Sequence, residues 1–323
     1  MAIISSGALS FTAIQNEFGG SHPISLSEYY RNGGAVPSNN TNVATSGAIN
    51  VGSFYDAVNE IGVTVSSGAS TYNVQTAAFS SYWTTAVPKR LTINSGVTLG
   101  HLTVPASMAG TLIIDHAGAV QGTGGSANGG AGGTAMTIQS TGVTINMASG
   151  STISGGGGGG GQGGTGGQGS TTYHASTHCD NCGGTNICMI QGGSAYASCG
   201  TGGCCNESAD GGCNQWTINC YRYQYHNGGS GGNGGVGQGY GQSNTNGSSG
   251  SSGGTNAGAG GSGGNGNTFG NAGATGASGS NGNSTNGSSG SGGGAAGRAI
   301  TFSGVSAYTI IGTNSGTIHG AYT

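Results

Sequence analysis

Charge is nearly missing from this chain: of 323 residues only five are Lys or Arg (Arg31, Lys89, Arg90, Arg222 and Arg298) and eight are Asp or Glu. A formal net charge of -3 with so few cations offers no electrostatic footprint for nucleic acid or an acidic membrane surface. Proline is scarcer, four residues with none after Pro105. Apolar and aromatic residues make up only 33%, too few to fill an oily core along the whole length, so much of the chain must be held by backbone hydrogen bonds. No apolar run approaches membrane-spanning length, and Met1-Ala2-Ile3-Ile4-Ser5-Ser6 lacks the basic and apolar stretches of a secretory signal. The expectation is a chain made in a cytoplasm, with no membrane insertion and no nucleic-acid partner.

What is abundant is glycine, 77 residues, and its spacing says more than its number. After the unbroken run from Gly155 to Gly161 it recurs every third residue at Gly160, Gly163, Gly166 and Gly169, and again at Gly228, Gly231, Gly234 and Gly237. The same period runs through Gly258, Gly261 and Gly264 and, after Asn267, through Gly270, Gly273, Gly276, Gly279 and Gly282. Three residues per turn is the period of a polyproline-II-type helix. Collagen shares it but needs proline in the other positions, which is missing here. A lone glycine helix would be disordered, because glycine loses the most backbone freedom on folding. Side by side, such helices can approach closely and exchange N–H to C=O bonds. Blocks 155–169, 228–241, 247–266 and 270–297 are long enough to run back and forth, with turns near 240–246 and 283–286. A flexible Gly/Ser linker is the competing reading, although residues 227–297 contain no charged residue or histidine to keep a linker solvated.

The flanks read differently. Residues 1–60 contain three related blocks, Ala8 to Gln15, Pro23 to Tyr30 and Ala48 to Tyr55, each an extended stretch leading into a helical turn. Thr12, Ser27 and Gly52 are the expected caps, with Gln15 in capping-box position relative to Thr12. Residues 61–154 change to β-branched runs between glycine turns: Leu91 to Gly100, Thr111 to Gly118, Val143 to Met147 and Ser151 to Ser154. A related phrase returns at Ile310 to Gly320. The expected fold is mainly β with an irregular glycine-rich region. It comprises a small N-terminal anchoring module (1–60), a β-rich repeat region (61–154), a polyglycine-II-type helix bundle (155–298) with a cysteine-rich insertion (173–226), and a C-terminal β segment (299–323).

All eight cysteines lie in that insertion: Cys179, Cys182, Cys188, Cys199, Cys204, Cys205, Cys213 and Cys220. Four disulfides are one reading, with 105 possible pairings. A zinc site using Cys179 and Cys182 with two later thiolates or histidines is a second, weakened by the lack of a second Cys-x2-Cys pair, and free thiols are a third. The same insertion holds Tyr173, Tyr196, Trp216, Tyr221, Tyr223 and Tyr225, and the Tyr221-Arg222-Tyr223-Gln224-Tyr225 alternation puts three tyrosines on one strand face. Such rings either form the module's own core or stand outward as rigid amphipathic contacts. The candidate binding residues are Tyr196, Trp216, Tyr221, Tyr223, Tyr225, Tyr240 and Phe269.

Chemistry has little to work with. Gly263-Gly264-Asn265-Gly266-Asn267 comes close to a calcium-binding glycine repeat but lacks the carboxylate. Asp115, Asp180, Glu207 and Asp210 show no paired-carboxylate motif, and neither His116 nor His174 is accompanied by a nucleophile elbow. No enzyme activity, no metal site and no cofactor are expected.

Leu9-Ser10-Phe11 to Phe18-Gly19-Gly20, with Pro23 to Arg31 and Thr45 to Ile49, resembles a module at the start of tailed-bacteriophage tail proteins. Thr92-Ile93-Asn94-Ser95-Gly96-Val97-Thr98-Leu99-Gly100, the glycine tract and the ending Gly312 to Thr323 are similar to C-terminal parts of phage tail-fibre and central-fibre proteins. The resemblance implies a virion tail component, made in the host cytoplasm and extracellular after lysis. It implies attachment to other phage tail proteins through the N-terminal part and contact with a host surface receptor, a saccharide or an outer-membrane protein, through the distal region. A homotrimer is an assembly it leaves open. A purely structural tail element without receptor binding is the alternative, and an ice-binding glycine bundle a more remote one. The cysteine block has no counterpart in the patterns it resembles.

Overall fold

A computed structural model describes residues 3–20, 23, 25–33, 35–37, 40–181, 198–207, 213–307 and 310–322; at 174–181, 198–207 and 213–222 the description is of backbone only. Among the described residues up to 58 there are three short helical units: α1 (Phe11–Phe18) and two 3-10 turns, Leu26–Tyr29 and Val51–Phe54. Their starts correct the expected caps. Thr12, Ser27 and Gly52 are each the second residue inside a helix, and the caps are Ser10, Ser25 and Asn50. The reason is reach: a capping oxygen must meet the N–H three residues on. Ser10 Oγ accepts from Ala13 N at 3.2 Å and Asn50 Oδ1 from Ser53 N at 3.1 Å, while Ser25 N donates to Glu28 Oε1 at 3.2 Å. Gln15 instead donates to the Gly20 carbonyl. Each unit delivers one ring to a shared centre, where Phe18, Tyr29 and Phe54 lie 6.1 to 6.4 Å apart, centroid to centroid. Ile14, Val36 and Val43 close around them.

The next region winds as a parallel stack. Its strands in chain order are β1 (Ile61–Val65), β2 (Ala69–Asn73), β3 (Lys89–Ile93), β4 (Thr98–Val104), β5 (Leu112–His116), β6 (Ala119–Gln121), β7 (Met136–Ile138), β8 (Val143–Met147) and β9 (Thr152–Ser154). One sheet runs β1-β3-β5-β8, all parallel; the second contains β2, β4, β6, β7 and β9, also parallel. Successive strand pairs are therefore rungs of a solenoid. Leu91, Ile93, Leu99, Leu112, Ile114 and Ile145 fill the space between the sheets. The outward positions stack too: Arg90 bonds Glu60 at 2.9 Å and Asp115 at 2.5 Å, and Asn146 donates to Asp115 at 2.9 Å.

After β9 the chain leaves the solenoid through the glycine-rich region, in which β10 (Gly169–Asn181), β11 (Ser198–Glu207) and β12 (Cys213–His226) form an antiparallel ribbon, ordered β10-β12-β11. It then returns as β13 (Ile300–Phe302), β14 (Ile311–Asn314) and β15 (Thr317–His319). β14 pairs with β8 and β15 with β9, so the C-terminus supplies the next rung and the glycine-rich region is spliced between two rungs. The returning phrase Ile310 to Gly320 is that rung.

Two histidines in the stack make stability pH-dependent. His116 is buried, with Nε2 2.9 Å from the Thr152 carbonyl and Nδ1 buried without a partner. Burial pushes its pKa below the ordinary 6.5, and burial does the same to His101. Both are favoured neutral in the fold, whereas the unfolded chain begins to bind protons near 6.5. The stability they contribute is complete above about pH 6.5 and is lost as pH falls through their lowered folded values. Thermal midpoints measured between pH 8 and pH 5 are expected to fall below about pH 6.5, with a shallower fall in His116→Gln.

Candidate functional site

The glycine-rich region contains six extended segments: I (155–168), II (227–238), III (245–253), IV (257–267), V (271–282) and VI (285–297). Lateral backbone bonds join them at intervals of three residues. From segment I, the N–H groups of Gly160, Gly163 and Gly166 donate to Gly235, Gly232 and Gly229 of segment II, while those of Gly161, Gly164 and Gly167 donate to Ala274, Ala277 and Ser280 of segment V. Its carbonyls at 158, 161, 164 and 167 accept from segment IV, and those at 156, 159, 162, 165 and 168 from segment VI. Two of the three rows of segment I are thus buried among neighbouring backbones, which only glycine allows at this spacing, while the third row carries Gln162, Thr165 and Gln168 at the surface or half-buried.

One face of segment I changes partner along its length. At Gly156 and Gly159 the N–H groups reach the carbonyls of Gly133 and Gly130, in the loop between β6 and β7. That loop goes no farther, and from there the acceptors are hydroxyls. Gln162 N donates to Ser291 Oγ, Thr165 N to Ser288 Oγ and Gln168 N to Thr285 Oγ1, all at 2.7 to 2.8 Å. Segment VI carries glycine (Gly294, Gly297) where the loop supplies carbonyls and Ser or Thr where it does not. Segment III serves segment II in the same way: Ser251, Ser248 and Thr245 accept from residues 230, 233 and 236. The 122–134 loop belongs to this lattice and not to the β-rich region expected over 61–154; its glycine pairs at 124–125, 129–130 and 132–133 are the signal for it in the sequence.

The connectivity sorts the turns to opposite ends. Segment I starts at the solenoid and finishes at the ribbon, so the ribbon root at Gly169 and His226 lies at the end of the bundle away from the solenoid, with turns 254–256 and 283–284 beside it. Turns 239–242 and 268–270 lie at the solenoid end: Tyr240 N donates to Gly122 O and Gly270 N to Gly155 O.

This separates the candidate aromatics. Tyr223 and Tyr225 stand at the far end, 47% and 57% exposed, with ring centroids 6.0 Å apart. They share one face of β12 and are in register with Thr172 and Ser170 of β10. Tyr173, 47% exposed, points to the opposite face, opposite Arg222 in register. Tyr240 and Phe269, both partly buried, are at the solenoid end, because the chain has reversed before reaching them. Tyr196 lies outside the described residues, and Trp216 and Tyr221 are described by backbone alone. The disulfide and zinc readings also fall outside: Cys182 and Cys188 are not described, and the other six cysteines are described by backbone alone. Among the described residues there is no group of three His, Cys, Asp or Glu placed to hold a metal ion.

The N-terminal module meets the solenoid in a cleft of about 590 Å³ lined by Phe18, Val36, Pro37, Tyr82, Val87 and Pro88 among others. Ile4 and Phe11 are 50% and 45% exposed on the same module. Among the described residues no helix is long and apolar enough to cross a membrane.

Residues 60–217 match a family model described as the phage tail fibre adhesin Gp38. The crystal structure of the gp37-gp38 adhesin tip complex of the bacteriophage S16 long tail fiber aligns with 99% of this chain and 100% of its own, at 16% identity and a TM-score of 0.39, a likeness that carries no argument about function. No curated protein matches the chain.

Proposed function

We propose, for a chain that is a phage tail-fibre adhesin acting in host attachment, that its two extremities divide the work. The N-terminal module, with its exposed Ile4 and Phe11 and the cleft it forms with the solenoid, seats the chain on another tail protein. The far end of the glycine-rich region, with the β10–β12 ribbon, meets the host surface. The observation that carries this reading is the position of the ribbon root, a whole bundle length from the solenoid.

Segments I to VI are read as a polyglycine-II-type helix bundle. The three-residue period of their lateral bonds supports this, as does the absence of strand pairing between them. Such a bundle is a stiff spacer that holds loops at its end without an oily core. The exposed pair Tyr223 and Tyr225 provides rigid, amphipathic contact area of the kind that stacks on sugar rings or fills apolar pockets. Neither catalysis nor a cofactor enters the reading; the Asp115 carboxylate is occupied by Arg90 and Asn146.

Phage carrying Tyr223→Ala with Tyr225→Ala are expected to adsorb to host cells about 10- to 100-fold more weakly, the usual effect of removing aromatic anchors. Circular dichroism of the purified chain should stay unchanged. Normal adsorption by these particles would point to a structural rather than a recognition role for the ribbon.

A further inference from the structure

The ribbon leaves the bundle through a root held by two asparagines from separate turns. Ser170, the second residue of β10, donates its N–H to Asn283 Oδ1 at 2.7 Å. Its carbonyl accepts from Asn283 Nδ2 at 2.9 Å and from Asn256 Nδ2 at 3.1 Å. Asn283 N donates to the Asn256 carbonyl at 3.0 Å, so the two turns are tied to each other as well as to the strand. Asn256 has φ 57°, a left-handed conformation that asparagine tolerates better than other residues with a side chain, glycine aside. On the returning strand, Thr171 Oγ1 and His226 Nε2 are 3.0 Å apart and Gly254 N donates to the Asn227 carbonyl at 3.0 Å.

The choice of residue is chemical. Beyond Gln168 the lattice of segment I ends, and Ser170 has both a donor and an acceptor to satisfy. The single oxygen of a hydroxyl, as used at 288 and 291, accepts the N–H at 2.7 to 2.8 Å but reaches the carbonyl of the same residue only at 3.4 to 3.5 Å; the carboxamide of Asn283 has a separate acceptor and donor and meets the Ser170 N–H and carbonyl at 2.7 and 2.9 Å, replacing a neighbouring peptide group. Aspartate could accept but has no donor for the Ser170 carbonyl.

We propose that Asn256 and Asn283 are positioning residues for host attachment: they set the direction in which β10 and β12 leave the bundle and therefore where the Tyr223–Tyr225 face points. This rests on the reading that the ribbon meets the receptor. If the root swings, the competent orientation is populated only part of the time, and apparent affinity drops by that fraction.

The test uses phage carrying Asn256→Gly with Asn283→Ala, and the purified chain with the same changes, glycine removing the carboxamide while keeping the left-handed backbone of residue 256. Adsorption is expected to fall about tenfold, the result of a root correctly aimed about one-tenth of the time. Amide exchange at residues 170–171 should accelerate, and the thermal midpoint should move by no more than about 2 °C, as for exposed side chains. Asn283→Asp, which keeps the acceptor for Ser170 N, should lie between wild type and the double variant. Normal adsorption by the double variant, with adsorption lost in Tyr223→Ala/Tyr225→Ala particles, overturns the positioning role and leaves the receptor reading standing. Normal adsorption by both sets of particles overturns both. A large fall in midpoint accompanying the adsorption loss also overturns it, since the asparagines would then be holding the bundle rather than aiming the ribbon.

Discussion

Gly163→Ala is expected to break open the glycine-rich bundle. A Cβ built on Gly163 would lie 2.0 Å from the Gly261 carbonyl oxygen and 2.6 Å from its carbon, where real contacts stay beyond about 3 Å. The obstruction is backbone, so no side chain can turn away. Relief requires segments I and IV to separate by about an ångström along a line of contact, which stretches Gly261 N to Gly164 O and its repeats three residues on. Overpacking alone costs roughly 1–3 kcal/mol, and each lateral bond lost adds roughly 1 kcal/mol. The sum is on the order of 5 kcal/mol, a large share of a domain's stability. The matched control is Gly292→Ala in segment VI, where an added Cβ meets nothing within 4 Å. That variant should stay within about 0.5 kcal/mol of wild type. Denaturation followed by circular dichroism, together with protease cleavage within 227–297, distinguishes the two. Equal stability of Gly163→Ala and Gly292→Ala would remove close backbone approach as the reason for the glycine spacing.

Lys89→Met should have the next largest effect. Lys89 is the first residue of β3, and the inward alternation of that strand places it beside Leu91 and Ile93, fully buried. Its Nζ donates to the carbonyls of Thr85 at 2.8 Å, Val87 at 2.9 Å and Ala109 at 2.8 Å, using all three protons. Burial pulls its pKa down from 10.5. The ammonium ties the 84–88 loop to the one after β4, beside Trp83, whose indole N–H bonds the Ala106 carbonyl at 2.9 Å. Methionine keeps the length and leaves three carbonyls without this donor. Unsatisfied buried groups cost roughly 1–3 kcal/mol each, offset in part by no longer burying a charge. A net loss of roughly 3 kcal/mol and a midpoint lower by about 5–10 °C is expected, read by calorimetry.

Of the described architecture, the parts set by local order were legible. Val143 to Met147 and Ser151 to Ser154 announce strands through β-branched residues, and the echo of such phrases at Ile310 to Gly320 announces another unit of the same kind. The glycine period of three is the period of the lateral bonds. The tyrosine alternation placed Tyr223 and Tyr225 on one face. The caps of the N-terminal helices lie two residues before the expected ones because serine, threonine and glycine crowd every candidate position; only the reach of an oxygen to the N–H three residues on distinguishes Ser10 from Thr12. Lys89 falls just outside the run expected from Leu91, and nothing adjacent in sequence reveals that the strand includes it or that Ala109 supplies a third carbonyl.

The deeper division follows sequence separation. Periodicity, turn residues and the absence of charge act between near neighbours, and so the mainly β middle and the three-residue register were written in the order of residues. Which segments lie together was decided only in three dimensions. That β14 closes on β8 across the whole glycine-rich region, that Ser288 and Ser291 appear where the 122–134 loop ends, and that Tyr240 and Phe269 fall at the opposite end from Tyr223 all depend on partners more than 15 residues away. Such pairings are selected by the joint need to satisfy every buried peptide group, a condition on the assembled lattice that no single stretch of chain contains.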